Sequence, residues 1–122
     1  MDQSTKSQIS ALAKDEGLVA AVLRLRDRWG DLAFDIVDHW EANLHGVGLG
    51  RRDDHSVLVY VDNFGKADGT YDVELETPPS GSAFPYTVAG RYGSVSFDEL
   101  SSLVGRHLGL AASDAPKTQP GR

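Results

Sequence analysis

The feature that most constrains the fold is a strict alternation of apolar and acidic side chains over residues 71–76, Tyr-Asp-Val-Glu-Leu-Glu. Successive side chains of an extended strand point to opposite faces, so this spacing places the three carboxylates, Asp72, Glu74 and Glu76, together on one face. The apolar side chains share the other face. The pattern predicts a β-strand with its apolar face buried and its acidic face in water.

Two neighbouring segments extend this strand into a sheet. Residues 55–64 are rich in β-branched and aromatic side chains, which favour a strand. Residues 65–69, Gly-Lys-Ala-Asp-Gly, have the composition of a turn, so the two strands are predicted to form a hairpin. Residues 77–85 read as a loop, and residues 86–92 as a third, antiparallel strand.

The N-terminal third of the chain predicts helices. Thr5 and Gln8 have the spacing of a capping box. Gly17 either breaks the helical segment or weakens it, because glycine is about 1 kcal/mol less favourable than alanine inside a helix. Beyond it, five apolar residues recur at helical spacing: Leu18, Ala21, Val22, Leu25 and Trp29.

A second helix is predicted directly afterwards. Gly30 suits the residue that ends a helix, and Asp31 suits the N-cap of the next one. The helix would carry an apolar face made of Ala33, Ile36, Val37, Trp40 and Leu44.

A last helix is predicted from residue 97 to about residue 108. Ser96 and Glu99 form a second capping box, and Gly109 is the predicted stop. The fold class expected from these segments is α+β: two N-terminal helices, a three-stranded antiparallel meander, and a C-terminal helix packed on one face of the sheet. Residues 1–110 are predicted to form one domain, and residues 111–122 a flexible C-terminal tail.

Composition excludes several classes of function. The chain has 122 residues and no cysteine, which rules out disulfides, thiolate metal sites and thiol nucleophiles. No apolar run approaches the roughly 18 residues that a membrane span needs, and a cytoplasmic location is expected. The net charge is −6, so neither nucleic acid nor a membrane is an expected partner.

The same charge indicates a protein partner, possibly a basic one. Residues 62–76 hold five acidic side chains and a single basic one. The candidate partner-binding residues are Asp62, Asp68, Asp72, Glu74 and Glu76, with Phe84 as an aromatic anchor in the loop that follows. The alternative interpretation is an ordinary solvated face.

By size and charge the chain falls among small acidic proteins that act by binding, such as immunity proteins and secretion chaperones. The function expected is a non-enzymatic protein-binding module, with no cofactor, that docks a basic partner through its acidic strand face. A structural or oligomerising subunit, pairing through a free strand edge as a homodimer, is one alternative.

A second alternative is a metal-dependent enzyme. Asp35, Asp38 and His39 have helical spacing, with His45 following, and such side chains can share a divalent ion. They match no defined metal motif, and the polar side of an amphipathic helix looks the same. The glycines of residues 46–50 are interpreted as a flexible connection, and His107 as a hydrogen-bonded residue on the apolar side of the last helix.

Overall fold

A computed structural model describes residues 3–38, 42–79 and 86–110 of the chain. Within these ranges the helices are α1 (Gln3–Ser10), α2 (Glu16–Trp29) and α3 (Phe97–Leu108). The strands are β1 (Asp35–Val37), β2 (Gly46–Arg51), β3 (Asp54–Asp62), β4 (Thr70–Thr77) and β5 (Thr87–Ser96). The α+β class is therefore confirmed, but the described sheet has five strands where the sequence predicts three.

The strands form one antiparallel sheet in the order β1-β2-β3-β4-β5, so each strand pairs with its neighbours in sequence. In the centre of the sheet Tyr60 lies opposite Glu74, and Asp62 lies opposite Asp72. This register decides which side chains of β3 and β4 share a face.

The helices pack on one face of the sheet, which we call the inner face. Apolar side chains from all three helices and from the strands form one buried cluster there. The strand contribution includes Val47, Leu49, Val59, Val61 and Val73, which alternate along β2, β3 and β4. The residues between them, including the predicted acidic stripe of β4, point to the opposite face, which we call the outer face.

The predicted second helix is wrong. Residues 35–37 form the edge strand β1, paired with residues 48–50 of β2. Leu44, expected on the buried face of that helix, is 54% exposed. Trp40, expected on the same face, lies outside the described residues.

A buried arginine accounts for the turn that replaces this helix. The Arg26 guanidinium donates to the carbonyl oxygens of Asp31, at 2.7 Å, and of Phe34, at 2.8 Å. These hydrogen bonds satisfy backbone acceptors at the turn, and Phe34 is fully buried beside them. Tertiary contacts therefore override the helical spacing of the apolar residues.

The interpretation of residues 46–50 as a flexible connection is also wrong, because they belong to β2. Gly46 lies under Tyr60, and a Cβ at that position would overlap the Tyr60 hydroxyl. A Cβ on Gly50 would come within 2.8 Å of a Val37 methyl carbon. These glycines let neighbouring side chains lie directly on the strand backbone.

The observed helix ends agree with some of the predicted capping residues and not with others. α1 begins before Thr5, so the capping box predicted there is not the start of the helix. The break falls before Gly17: Asp15 is the N-cap of α2 and accepts hydrogen bonds from the backbone N–H groups of Gly17 and Leu18. The capping box of Ser96 and Glu99 at α3 is confirmed, as is the stop at Gly109.

Candidate functional site

The outer face carries three of the predicted site residues in one place. Asp62 ends β3, and Asp72 and Glu74 lie on the neighbouring strand β4. Because Asp62 is paired with Asp72, the three carboxylates occupy adjacent positions. They line a groove of about 700 Å³, which we call the acidic groove, together with Asn43, Tyr60, Phe64, Val73, Arg91, Tyr92 and Gly93.

Asp62 is held by a network at one end of this groove. Its Oδ2 accepts hydrogen bonds from Asn43 Nδ2 at 3.2 Å and from the Tyr60 hydroxyl at 3.1 Å. Its Oδ1 accepts from the backbone N–H of Phe64 at 2.8 Å. Burial, assisted by the Asp62 carboxylate, raises the pKa of Tyr60 to about 12, so the phenol stays a hydrogen-bond donor.

The same network positions an exposed aromatic ring. Phe64 follows β3 directly and is 71% exposed. Its ring contacts the edge of the His45 ring, with centroids 5.3 Å apart, and His45 Nδ1 lies 3.1 Å from Asn63 Oδ1. Phe64 therefore presents an exposed apolar ring, held in place by its contact with His45, at the rim of a groove lined by carboxylates.

Asp72 lies further along the groove, near β5. Its Oδ1 is 2.9 Å from Lys66 Nζ and accepts a hydrogen bond from the backbone N–H of Ser94 at 3.0 Å. The hydrogen bond from Lys66 is the main reason that the pKa of Asp72 is lowered. The Asp72 side chain nevertheless stays 47% exposed. It is an ionised carboxylate that incoming groups can reach.

Glu74 is paired across the strands. Arg91 Nε lies 2.8 Å from Glu74 Oε1, as expected for residues that face each other in the β4–β5 register. The Arg91 side chain is 73% exposed, whereas that of Glu74 is 22% exposed. The guanidinium thus covers the carboxylate from the solvent side.

Glu76 is buried, although the strand pattern predicts that its side chain is exposed to water. It is only 8% exposed, and a shift in the β4–β5 register falls between Leu75 and Glu76. Burial, followed by a hydrogen bond and charge repulsion with Glu74, raises the pKa of Glu76 to about 7. A carboxyl group in this environment holds its proton close to neutral pH. Glu76 is therefore not a solvated carboxylate of the outer face.

The two other predicted site residues lie elsewhere. Asp68 is in the turn between β3 and β4, where it lines a separate cleft of about 330 Å³ with residues that include Asp15, His45 and Lys66. Phe84 lies outside the described residues. The predicted cluster is thus split, with Asp62, Asp72 and Glu74 forming its compact part.

Three residues that line the acidic groove, Tyr60, Phe64 and Asn43, are not among the predicted site residues. Tyr60 lies two residues before Asp62 in β3, so both side chains point to the outer face, and this spacing is the signal that could have found Tyr60. The strand predicted over residues 55–64 includes Phe64, but β3 ends at Asp62, so Phe64 lies beyond the strand and is exposed. Asn43 falls within the predicted second helix and carries no signal of its own in the sequence.

The candidate metal residues that the structure describes do not form one cluster. Asp35 lies in β1, where its Oδ2 is 2.8 Å from His55 Nε2. Asp38 instead accepts from Lys14 Nζ at 3.1 Å. His39 is outside the described residues, and in the described part of the chain no three His, Asp or Glu side chains are grouped so that they could hold a metal ion.

His107 has the hydrogen-bonding role expected of it. Its Nε2 lies 2.7 Å from the backbone carbonyl oxygen of Glu76, and its ring is half-buried between α3 and β4. This contact ties the helix to the strand.

Comparison with known proteins finds no matching family model, no matching curated protein and no matching solved structure. Among the described residues, no helix has both the length and the apolar character needed to cross a membrane. The geometry of the acidic groove therefore carries the functional argument.

Proposed function

We propose that this protein is a non-enzymatic binding module that docks a basic segment of another protein in the acidic groove. The observation that carries the proposal is the convergence of Asp62, Asp72 and Glu74 with the exposed ring of Phe64 in one groove of about 700 Å³. A role of the immunity-protein or chaperone kind is consistent with such a surface.

The chemistry of the groove favours lysine and arginine side chains. Carboxylates form charge-assisted hydrogen bonds with ammonium and guanidinium groups. Aromatic faces attract the same cations and pack against their aliphatic stems. Phe64, which is 71% exposed, supplies such a face beside the carboxylates.

The ion pair of Arg91 with Glu74 does not block this use. Surface pairs such as Arg91 with Glu74 contribute only about 0.2–1 kcal/mol each, because water screens them and the long side chains lose freedom. Arg91 is 73% exposed and can move away, which leaves the Glu74 carboxylate, 22% exposed, for a partner cation to pair with. A partner cation can therefore replace it at Glu74 at small cost.

The test is a titration of isotope-labelled protein with a synthetic peptide of alternating lysine and threonine, followed by amide chemical shifts. Shift changes are expected at the acidic groove, with affinity falling as salt rises. A peptide with glutamate in place of lysine is expected not to bind.

Two double variants locate the binding surface. Asp72→Asn with Glu74→Gln removes two charges from the groove and is expected to weaken peptide binding about 5- to 10-fold, from the worth of two exposed ion pairs. Asp53→Asn with Asp54→Asn removes the same charge from the turn at the other end of β3 and is expected to change affinity about twofold or less. Equal weakening by both would mean that overall acidity, not this groove, attracts the peptide.

A further inference from the structure

The sheet ends at β5, and this edge lies between two grooves. β5 is the last strand in the sheet order, and within the described residues it pairs only with β4. Residues 91–94 are all exposed. Backbone N–H and C=O groups along a free edge are a template on which another strand can form.

The outer side of this edge opens into the acidic groove. A Cβ built on Gly93 would lie 3.6 Å from Asp72 Oδ1, so no side chain of β5 stands between that point of the edge and the carboxylate. A long cationic side chain on an added strand would reach the Asp72 carboxylate across Gly93 and would share it with Lys66.

The inner side of the edge opens into a second groove, of about 390 Å³, which we call the α3 groove. It is lined by Tyr92, Val95, Asp98, Glu99, Ser102, Leu103 and Arg106. Apolar groups of Val95 and Leu103 form its buried part, and Asp98 and Glu99 are exposed at its rim. Two carboxylates and one guanidinium give this groove an acidic balance as well.

We propose that the basic partner binds as an added β-strand along β5, with alternate side chains entering the acidic groove and the α3 groove. This mode rests on the proposed function and specifies its geometry. Main-chain hydrogen bonds to the edge supply affinity, and the two grooves select the side chains. A lysine or arginine directed to the outer side meets Asp72, and the next residue meets Leu103 and the acids of α3.

A basic segment fits this edge better than a second copy of the chain does. Two copies joined through β5 would bring acidic grooves together, which opposes pairing. The edge is also irregular: the β4–β5 register shifts twice, and Ser94 has a φ of 52°. Such irregularities limit pairing to a short segment and discourage extension into larger sheets.

The experiment uses the lysine–threonine peptide in two N-methylated forms. In one form the backbone nitrogens of all lysines are methylated, and in the other those of all threonines. Successive N–H groups of a strand point to opposite sides, so only one form loses the donors that face β5. Charge and side-chain sequence stay the same in both.

We expect one form to bind at least about tenfold more weakly than the other, with the better form close to the unmethylated peptide. On binding of the unmethylated peptide, hydrogen exchange is expected to slow at those β5 amides whose N–H groups point away from β4, and to stay unchanged at the others. Equal behaviour of the two forms, together with unchanged β5 exchange, would overturn strand addition while leaving groove binding in place. Failure of the unmethylated peptide to bind would instead overturn the proposed function.

Discussion

At the scale of single residues, Glu76 has an environment that alternation along the strand does not predict. Its spacing matches that of Asp72 and Glu74, yet its side chain is buried where the strand register shifts. Removing a carboxylate from water disfavours its charged form, and the neighbouring Glu74 adds repulsion. A position that looks like part of an acidic stripe thus holds a carboxyl group that titrates near neutrality.

Glu76 is therefore expected to make stability fall as pH rises. Its pKa is about 7 in the folded chain against an ordinary value of 4.5, so between these values the native state binds more protons than the unfolded state. The free energy of unfolding should drop by roughly 2–3 kcal/mol from pH 5 to pH 8. Urea unfolding at the two pH values measures it, and Glu76→Gln should remove most of the drop. An equal drop in the variant would assign the effect to other groups.

At the scale of elements, Trp29 at the end of α2 makes a specific contact with α3. Trp29, the last residue of α2, donates from Nε1 to the Ser101 hydroxyl at 3.1 Å, and Ser101 is fully buried in α3. The Trp29 ring also lies against Gly105, where a Cβ would overlap it. Glycine is thus kept inside a helix because a ring occupies the space of its side chain.

Gly105→Ala tests which of two effects is larger. Helix propensity alone would make alanine about 1 kcal/mol more stable than glycine. Overlap with the Trp29 ring opposes this, and overpacking of a well-packed contact costs typically about 1–3 kcal/mol. We expect net destabilisation by about 1 kcal/mol in thermal or urea unfolding. Ser102→Ala, at an exposed site on the same helix, should change stability by less than about 0.5 kcal/mol. A more stable Gly105→Ala variant would show that the ring moves aside freely.

At the scale of the whole molecule, charge and edge structure determine association. The chain carries a net charge of −6, and the edge of β5, which pairs only with β4 among the described residues, lies between two acidic grooves. Like charges brought together at such an edge oppose self-pairing more strongly when salt is low. The oligomerising-subunit alternative therefore finds less support than binding of a basic partner.

Sedimentation equilibrium is expected to give a monomer mass close to 13.2 kDa at micromolar concentration in low salt. The lysine–threonine peptide should add its own mass once, without linking two copies. A dimer that persists in low salt would contradict the expected repulsion between copies and would revive the oligomerising alternative.

The sequence predicted the elements whose causes are local. The alternation in residues 71–76 needs only the period of a strand, and β4 was found where it was expected. The start and end of α3 depend on Ser96, Glu99 and Gly109, which act on backbone groups within a few residues. Asp72 and Glu74 follow from the same local pattern, and Asp62 follows from the run of acidic residues between positions 62 and 76.

Contacts between distant segments decided the rest. β1 and β2 replaced a helix and a loop because Arg26 holds the turn after α2 and because Tyr60 lies on Gly46. The burial of Glu76 and the convergence of Phe64 with the carboxylates have the same origin. Periodicity and capping residues indicate which local backbone conformation a segment favours. Side chains that meet only after folding decide that Gly46 lies under Tyr60 and that Glu76 is buried away from water.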